Sequence, residues 1–201
     1  DRKTVYVNCM EPHSVEAAVK LLEPKKYVLE TFVDGVAYIE GWYYRQVEKT
    51  HESFRDVNYI LKTRRPKDDL YQFMLDNKTG IENINVNFSD ISEKPAMKKE
   101  LEALPDVTIT SSFDHNLEIG GSTTSKADAL THMGSLLGVD RSEMMAAGDS
   151  PNDIKMLKAA GLAVAVGNAK PEVKEIADFI APDHDDDGVA VAVEKFVLGE
   201  N

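Results

Sequence analysis

Two short runs without a polar side chain, Met144-Met145-Ala146-Ala147 and Leu162-Ala163-Val164-Ala165-Val166, each end at a glycine and are each followed by a helix-start signal. Strands too continuously apolar to have a wet face belong in a parallel sheet covered by helices. The flanking sequence fits. Thr124 or Ser125 can cap a helix running to about Leu137, which Gly138 ends. Asp153 to Ala160 predicts a second helix ending at Gly161, and Pro171 opens a third through Ala177. Phe179-Ile180-Ala181 predicts a short third strand, and Val189 to Val197 a closing helix. The expected architecture is α/β, half of a doubly wound, Rossmann-like sheet. Three strands leave an inner edge of unpaired apolar backbone. The expectation is that a partner chain, or residues preceding Asp1 in a longer parent protein, covers that edge.

Upstream the texture differs, and the change near residue 111 predicts two domains, 1–111 and 112–201. Tyr27 to Val33 and Val36 to Ile39 are strand-like runs separated by Asp34-Gly35, a strong two-residue hairpin signal. Ser14 can cap a preceding helix from Val15 to Leu22, before Pro24 stops it. Further strands are expected at Ile84 to Phe88, Val107 to Ser111 and Asn116 to Ile119, with a helix at Lys94 to Leu104. This reads as an α+β domain with an antiparallel sheet.

Charge and composition narrow the partners. With 35 acidic against 23 basic residues and a formal charge of −12, most of the surface repels nucleic acid and anionic lipid. The basic stretch Lys62 to Lys67 is expected to be a solvated turn. No run has the apolar length to span a bilayer, and a single Cys9 can close no internal disulfide. The expected location is the cytoplasm, and the expected partner a small molecule or a metal.

Chemistry concentrates in Gly148-Asp149-Ser150-Pro151-Asn152-Asp153, where a buried strand gives way to a helix. Open α/β sheets place ligands at that edge. Two carboxylates and a carboxamide beside helix-start N–H groups suit a hard divalent cation with an anionic ligand. An Asp or Ser there can equally be a plain helix cap. Lys126, opening the preceding helix, can send its ammonium to the same edge, and Gly167-Asn168-Ala169-Lys170-Pro171 adds a second carboxamide after the next strand. Polar groups from three successive loops then converge.

Ser125-Lys126 with Ala129-Leu130, then Gly148 to Leu157, Val166-Gly167-Asn168-Ala169 and Asp187-Gly188-Val189-Ala190 together resemble the haloacid dehalogenase superfamily, in particular its Cof-type phosphatases with a large α+β (C2-type) cap. The likeness runs from Leu117 to the C-terminus at family spacing, with Ala127 where the family usually has glycine. The first 110 residues are similar to the cap by position and texture. The resemblance implies a magnesium-dependent phosphomonoesterase for a small phosphorylated, sugar-phosphate-like metabolite, in which an aspartate attacks phosphorus to give an aspartyl-phosphate. It implies that Lys126 holds the phosphoryl oxygens and orients the nucleophile, that Asp149 is a magnesium ligand, that Asn152 contacts the phosphate or places the loop, and that Asp153 supports the metal shell. Lys126 and Asp153 are thus the catalytic candidates, Lys126 and Asn152 the substrate-binding ones, and Asp149 and Asp153 the metal ones.

The family's first motif is absent, and its second, a Ser or Thr ending the next core strand, is not identifiable. No Asp-x-Asp-Gly-Thr follows an apolar strand, and the nearest look-alike, Phe32-Val33-Asp34-Gly35-Val36, has Phe32 where the attacking carboxylate belongs. The expectation is a fragment lacking its nucleophile and inactive alone. The alternative is a nucleophile-less regulatory module that binds phosphate or metal.

Elsewhere, Asp183, Asp185, Asp187, Gly188 and Glu194 fit the twelve-residue calcium-loop spacing. Pro182 and the strand-like Phe179-Ile180-Ala181 argue instead for an acidic loop capping the last helix. The five histidines share no metal-ligand spacing. Trp42, Tyr43 and Tyr44 are expected to be core rather than a substrate-facing cluster.

Overall fold

A computed structural model describes residues 6–199 and divides the chain into two compact units, with the division between Thr124 and Ser125. That is later than the boundary expected at 111, because Asn116–Gly121 pairs antiparallel with Ile81–Asn87 and so completes the first sheet.

The first unit runs α1 (Pro12–Leu22), β1 (Val28–Val33), β2 (Val36–Glu40), α2 (Gly41–Thr50), α3 (Val57–Thr63), β3 (Arg64–Lys67), α4 (Leu70–Asp76), β4 (Ile81–Asn87), α5 (Lys94–Glu102), β5 (Val107–Thr110) and β6 (Asn116–Gly121). Its six strands lie in the order β3-β2-β1-β4-β6-β5, antiparallel except for the β2–β3 pair. Asp34 and Gly35 both take positive φ, the geometry of a tight turn whose twist matches its strands. Alternate strand residues divide the sheet faces. Leu29, Ile84, Val86, Leu117 and Ile119 meet Val15, Val19 and Leu22 of α1 and Leu101 of α5 in one core. On the other face Val28 and Ile39 pack with Tyr43, Val47 and Ile60 of α2 and α3.

Two local expectations change. Pro12 stands at the start of α1, where its locked φ suits the first turn, so Ser14 does not cap. It is buried inside the helix and donates to the Pro105 carbonyl at 2.8 Å. The basic stretch is not a solvated turn. Arg64 begins β3, is buried, and meets the fully buried Glu30 of β1 at 2.7 Å. A charged residue placed there by a strand must find a counter-charge, and Glu30 is it. Of the aromatic trio, Tyr43 is core while Trp42 is 47% exposed.

The second unit runs α6 (Lys126–Leu137), β7 (Met145–Gly148), α7 (Ile154–Ala159), β8 (Leu162–Ala165), α8 (Pro171–Lys174), β9 (Phe179–Ile180) and α9 (Gly188–Val193). The three strands are parallel in the order β7-β8-β9. Both sheet faces are covered, Ala146, Ala163 and Ala165 by Leu157 and Val173, and Val164 by Ala181 and Ala192. This is the predicted α/β, Rossmann-like arrangement. The third helix is shorter than expected, closing at Lys174 rather than Ala177. Among the described residues nothing pairs with the outer edge of β7, and no helix is long and apolar enough to cross a membrane.

Candidate active site

Gly148 ends β7 because the chain there has no room for a side chain. A Cβ would stand 2.5 Å from Asp153 Cβ and 2.7 Å from its Cγ. The loop then turns through Asp149 and Ser150 into a 3-10 turn, Pro151–Asp153, that leads into α7. Pro151 fits the first position of that turn, where no N–H is needed.

Asp153 is the hub. It is 3% exposed, and its Oδ2 accepts the backbone N–H groups of Asp149 at 3.0 Å and Ser150 at 3.1 Å. Its Oδ1 accepts from the ammonium of Lys126. Burial raises its pKa, but these hydrogen bonds and the adjacent positive charge outweigh it and hold the carboxyl below the usual range. Lys126 is delivered by α6, whose first turn is capped by Ser125 accepting from the Asp128 N–H at 3.1 Å. The lysine side chain is half exposed, so its remaining N–H groups face solvent at the mouth of the loop.

Asp149 is tied by its backbone, its carbonyl accepting from the Lys170 N–H at 2.9 Å. Among the described residues its carboxylate meets one hydrogen-bonding group, the Asn168 amide, which donates to Oδ2 at 3.4 Å. Those oxygens are therefore available to a hard cation. Asn152 Oδ1 is buried and has no partner among the described residues, an unfilled acceptor that fits a site built to receive a bound group. Gly167 closes the neighbouring loop against Asp183, where a Cβ would lie 2.7 Å from the Asp183 nitrogen. Lys126, Asp149, Asn152 and Asp153 thus fall in one region, with Asn168 joining them from the next loop.

The four carboxyl, amide and ammonium groups are engaged unequally. Both oxygens of Asp153 already accept hydrogen bonds, which suits a positioning role, whereas the carboxylate of Asp149 is more open to direct ligation. The filling was hidden in the sequence, because a carboxylate that reaches back to two upstream N–H groups looks like any Asp at a helix start.

Among the described residues, one group of three ligand atoms lies within 4.8 Å, from Asp183, His184 and Asp185. It does not form a calcium loop. Asp183 caps a 3-10 turn by accepting from the Asp185 N–H at 3.2 Å, and from Gly188 onward the chain is helical, where later calcium ligands would have to wrap an ion. A Cβ on Gly188 would also collide with the Pro182 carbonyl.

Residues 1–193 match the family of haloacid dehalogenase-like hydrolases. The chain is 36% identical over 157 residues to the 5-amino-6-(5-phospho-D-ribitylamino)uracil phosphatase YcsE of Bacillus subtilis, covering 78% of this chain and 60% of that protein. It is 33% identical over 151 residues to a phosphoglycolate phosphatase of Methanoculleus marisnigri, covering 74% and 61%. The chain therefore spans less than two thirds of the length of these relatives. A solved structure of a haloacid dehalogenase-like hydrolase from Bacteroides thetaiotaomicron superposes with a TM-score of 0.75 at 25% identity, over 96% of this chain and 70% of that one. The chain belongs to the haloacid dehalogenase-like hydrolase family.

Proposed function

We propose that the whole protein is a magnesium-dependent phosphomonoesterase acting on a small phosphorylated, sugar-phosphate-like metabolite at the loop after β7. The observation that carries this reading is the convergence of Lys126, Asp149 and Asp153 at the carboxyl end of a parallel strand. The names of the relatives support the substrate class, one a ribitylaminouracil phosphate phosphatase and another a phosphoglycolate phosphatase.

Phosphoryl transfer needs alignment and neutralisation of charge more than covalent help. Lys126, held by Asp153, presents its ammonium to the phosphoryl oxygens. Asp149 supplies carboxylate oxygens to magnesium, which when bound offsets negative charge on the phosphoryl group. Asn152 would meet the phosphate through its Nδ2–H groups, while its unfilled Oδ1, an acceptor, suits a donor in the shell around the metal. Asp153 keeps the Asp149 and Ser150 N–H groups and the Lys126 side chain in register. The attacking aspartate is assigned to a segment outside these 201 residues. Its oxygen bonds to phosphorus, the bond to the leaving oxygen breaks, and water then hydrolyses the aspartyl-phosphate. The first unit is read as the α+β cap and the second as the C-terminal part of the core, in the cytoplasm.

A core segment or partner chain is proposed to cover the open edge of β7. Met133, Leu136 and Leu137 of α6, each more than 40% exposed, support it as apolar surface that such a segment buries. The test is hydrolysis of phosphate monoesters by the full-length protein with magnesium, with and without a chelator. Turnover that vanishes on chelation supports the reading, and turnover indifferent to it overturns the metal role.

A further inference from the structure

Glu40 is the last residue of β2 and stands at the N-cap of α2. A side-chain oxygen at that position can accept one of the helix's first N–H groups. Glu40 does not. It is 5% exposed, and among the described residues no ion pair or hydrogen bond holds its carboxylate. Instead it borders a cavity of about 460 Å³ together with Tyr27, Trp42, Asp69 and Tyr71.

A buried carboxylate without a donor is costly, and a second carboxylate beside it raises the cost. Burial first, and then the charge of Asp69, push the Glu40 carboxyl up to about 7. Tyr71 feels the same site, since burial and the charge of Glu40 push its hydroxyl up to about 12. What Glu40 lacks is a paired positive charge. Lys26 also borders the cavity but, among the described residues, forms no ion pair with Glu40 or Asp69; Asp68 is paired with Arg45 at 2.6 Å, and Asp69 caps α4 through Oδ1, which accepts from the Gln72 N–H at 2.9 Å, leaving its Oδ2 and its charge to the cavity.

The walls decide which cation fits. Three aromatic rings favour an ammonium carrying hydrocarbon, which can lie against ring faces while its N–H groups meet carboxylates. A divalent metal requires more hard oxygen donors than two mutually repelling carboxylates supply, and among the described residues Glu40 and Asp69 belong to no three-ligand group. We propose that this cavity of the first unit binds a small aliphatic ammonium ion, with Glu40 and Asp69 as its charge partners and Tyr27, Trp42 and Tyr71 as its walls. The proposal is independent of the phosphatase reading.

Trp42 is the protein's single tryptophan, so its fluorescence reports this cavity. Propylammonium chloride titrated into the chain at pH 8, followed by fluorescence and by calorimetry, is expected to give saturable binding in the millimolar range. Binding should weaken about tenfold at pH 6, as Glu40 takes up its proton. The other charges around it are Lys26, Glu23, Asp68 and Asp69, and both tyrosines, Tyr27 and Tyr71, titrate near 12. Glu40→Gln, checked for fold by circular dichroism, should lose the binding, and magnesium chloride at matched ionic strength should give none. No saturable signal by either method, equal affinity at pH 6 and 8, wild-type affinity in Glu40→Gln, or equivalent binding of magnesium would each overturn the proposal. The pH comparison uses the unaltered protein and decides the matter even if the variant fails to fold.

Discussion

The carboxylate of Asp153 reaches back four residues to hold the N–H of Asp149 at 3.0 Å, while its other oxygen holds Lys126 from a different helix. One buried side chain thus fixes both the loop after β7 and the Lys126 ammonium. Asp153→Ala strands two N–H donors and frees Lys126. It should destabilise the chain by about 2–3 kcal/mol in urea denaturation, and Asp153→Asn, which keeps one acceptor, by less. A stability loss below about 0.5 kcal/mol in Asp153→Ala would show that the loop does not depend on it.

Gly148 is fixed by the same neighbour. Gly148→Ala puts a methyl group 2.5 Å from Asp153 Cβ, so the loop must shift. The expected cost is about 1–3 kcal/mol in thermal melting. A crystal structure of the variant should show Asp153 displaced from the Asp149 N–H. An unshifted loop with wild-type melting would contradict this.

Arg64 and Glu30 form the buried ion pair of the first sheet, with Arg55 a more distant neighbour at 3.9 Å. Arg64→Ala leaves a fully buried carboxylate short of its main partner and should cost about 3 kcal/mol. The double variant Arg64→Met with Glu30→Leu should recover much of that loss. If the double variant is as unstable as Arg64→Ala, the charge imbalance is not the cause.

Glu40 makes stability depend on pH in the opposite sense from an ion-paired carboxylate. Its folded pKa, about 7, lies above its unfolded value, so the folded state holds the proton longer. Its contribution is fully present below the unfolded value and is lost as pH rises to about 7. Glu40→Gln should therefore match the wild type near pH 4. By pH 8 it should be more stable by roughly 1–2 kcal/mol, allowing for screening by solvent. A gain of equal size at both pH values would point to packing rather than ionisation.

Local signals were legible in the sequence. Asp34-Gly35 announces its turn because both residues tolerate positive φ, and the apolar strands with their trailing glycines announce a covered parallel sheet. That Lys126, Asp149, Asn152 and Asp153 fall in one region is legible because each sits next to a strand end or helix start. Pairings between distant residues were not legible. Arg64 finds Glu30 across 34 positions, and β6 joins the first sheet only through its register with β4, which moved the division to Thr124. The Glu40 cavity was equally hidden, since it is assembled from the ends of separate elements. Ser14 misled because a good capping residue lay two positions inside a helix that a proline had already started.

The most direct test of the central claim is kcat/KM for magnesium-dependent hydrolysis of phosphate monoesters by the full-length protein, compared with Asp149→Asn and Lys126→Ala. Lys126→Ala should lose about 10²–10³-fold, the scale of one lost electrostatic donor, and Asp149→Asn at least as much, with a weaker dependence on magnesium concentration. Variants that keep kcat/KM within about twofold of wild type, a difference of under 0.5 kcal/mol, with an unchanged magnesium dependence, would contradict the placement of the site at the end of β7.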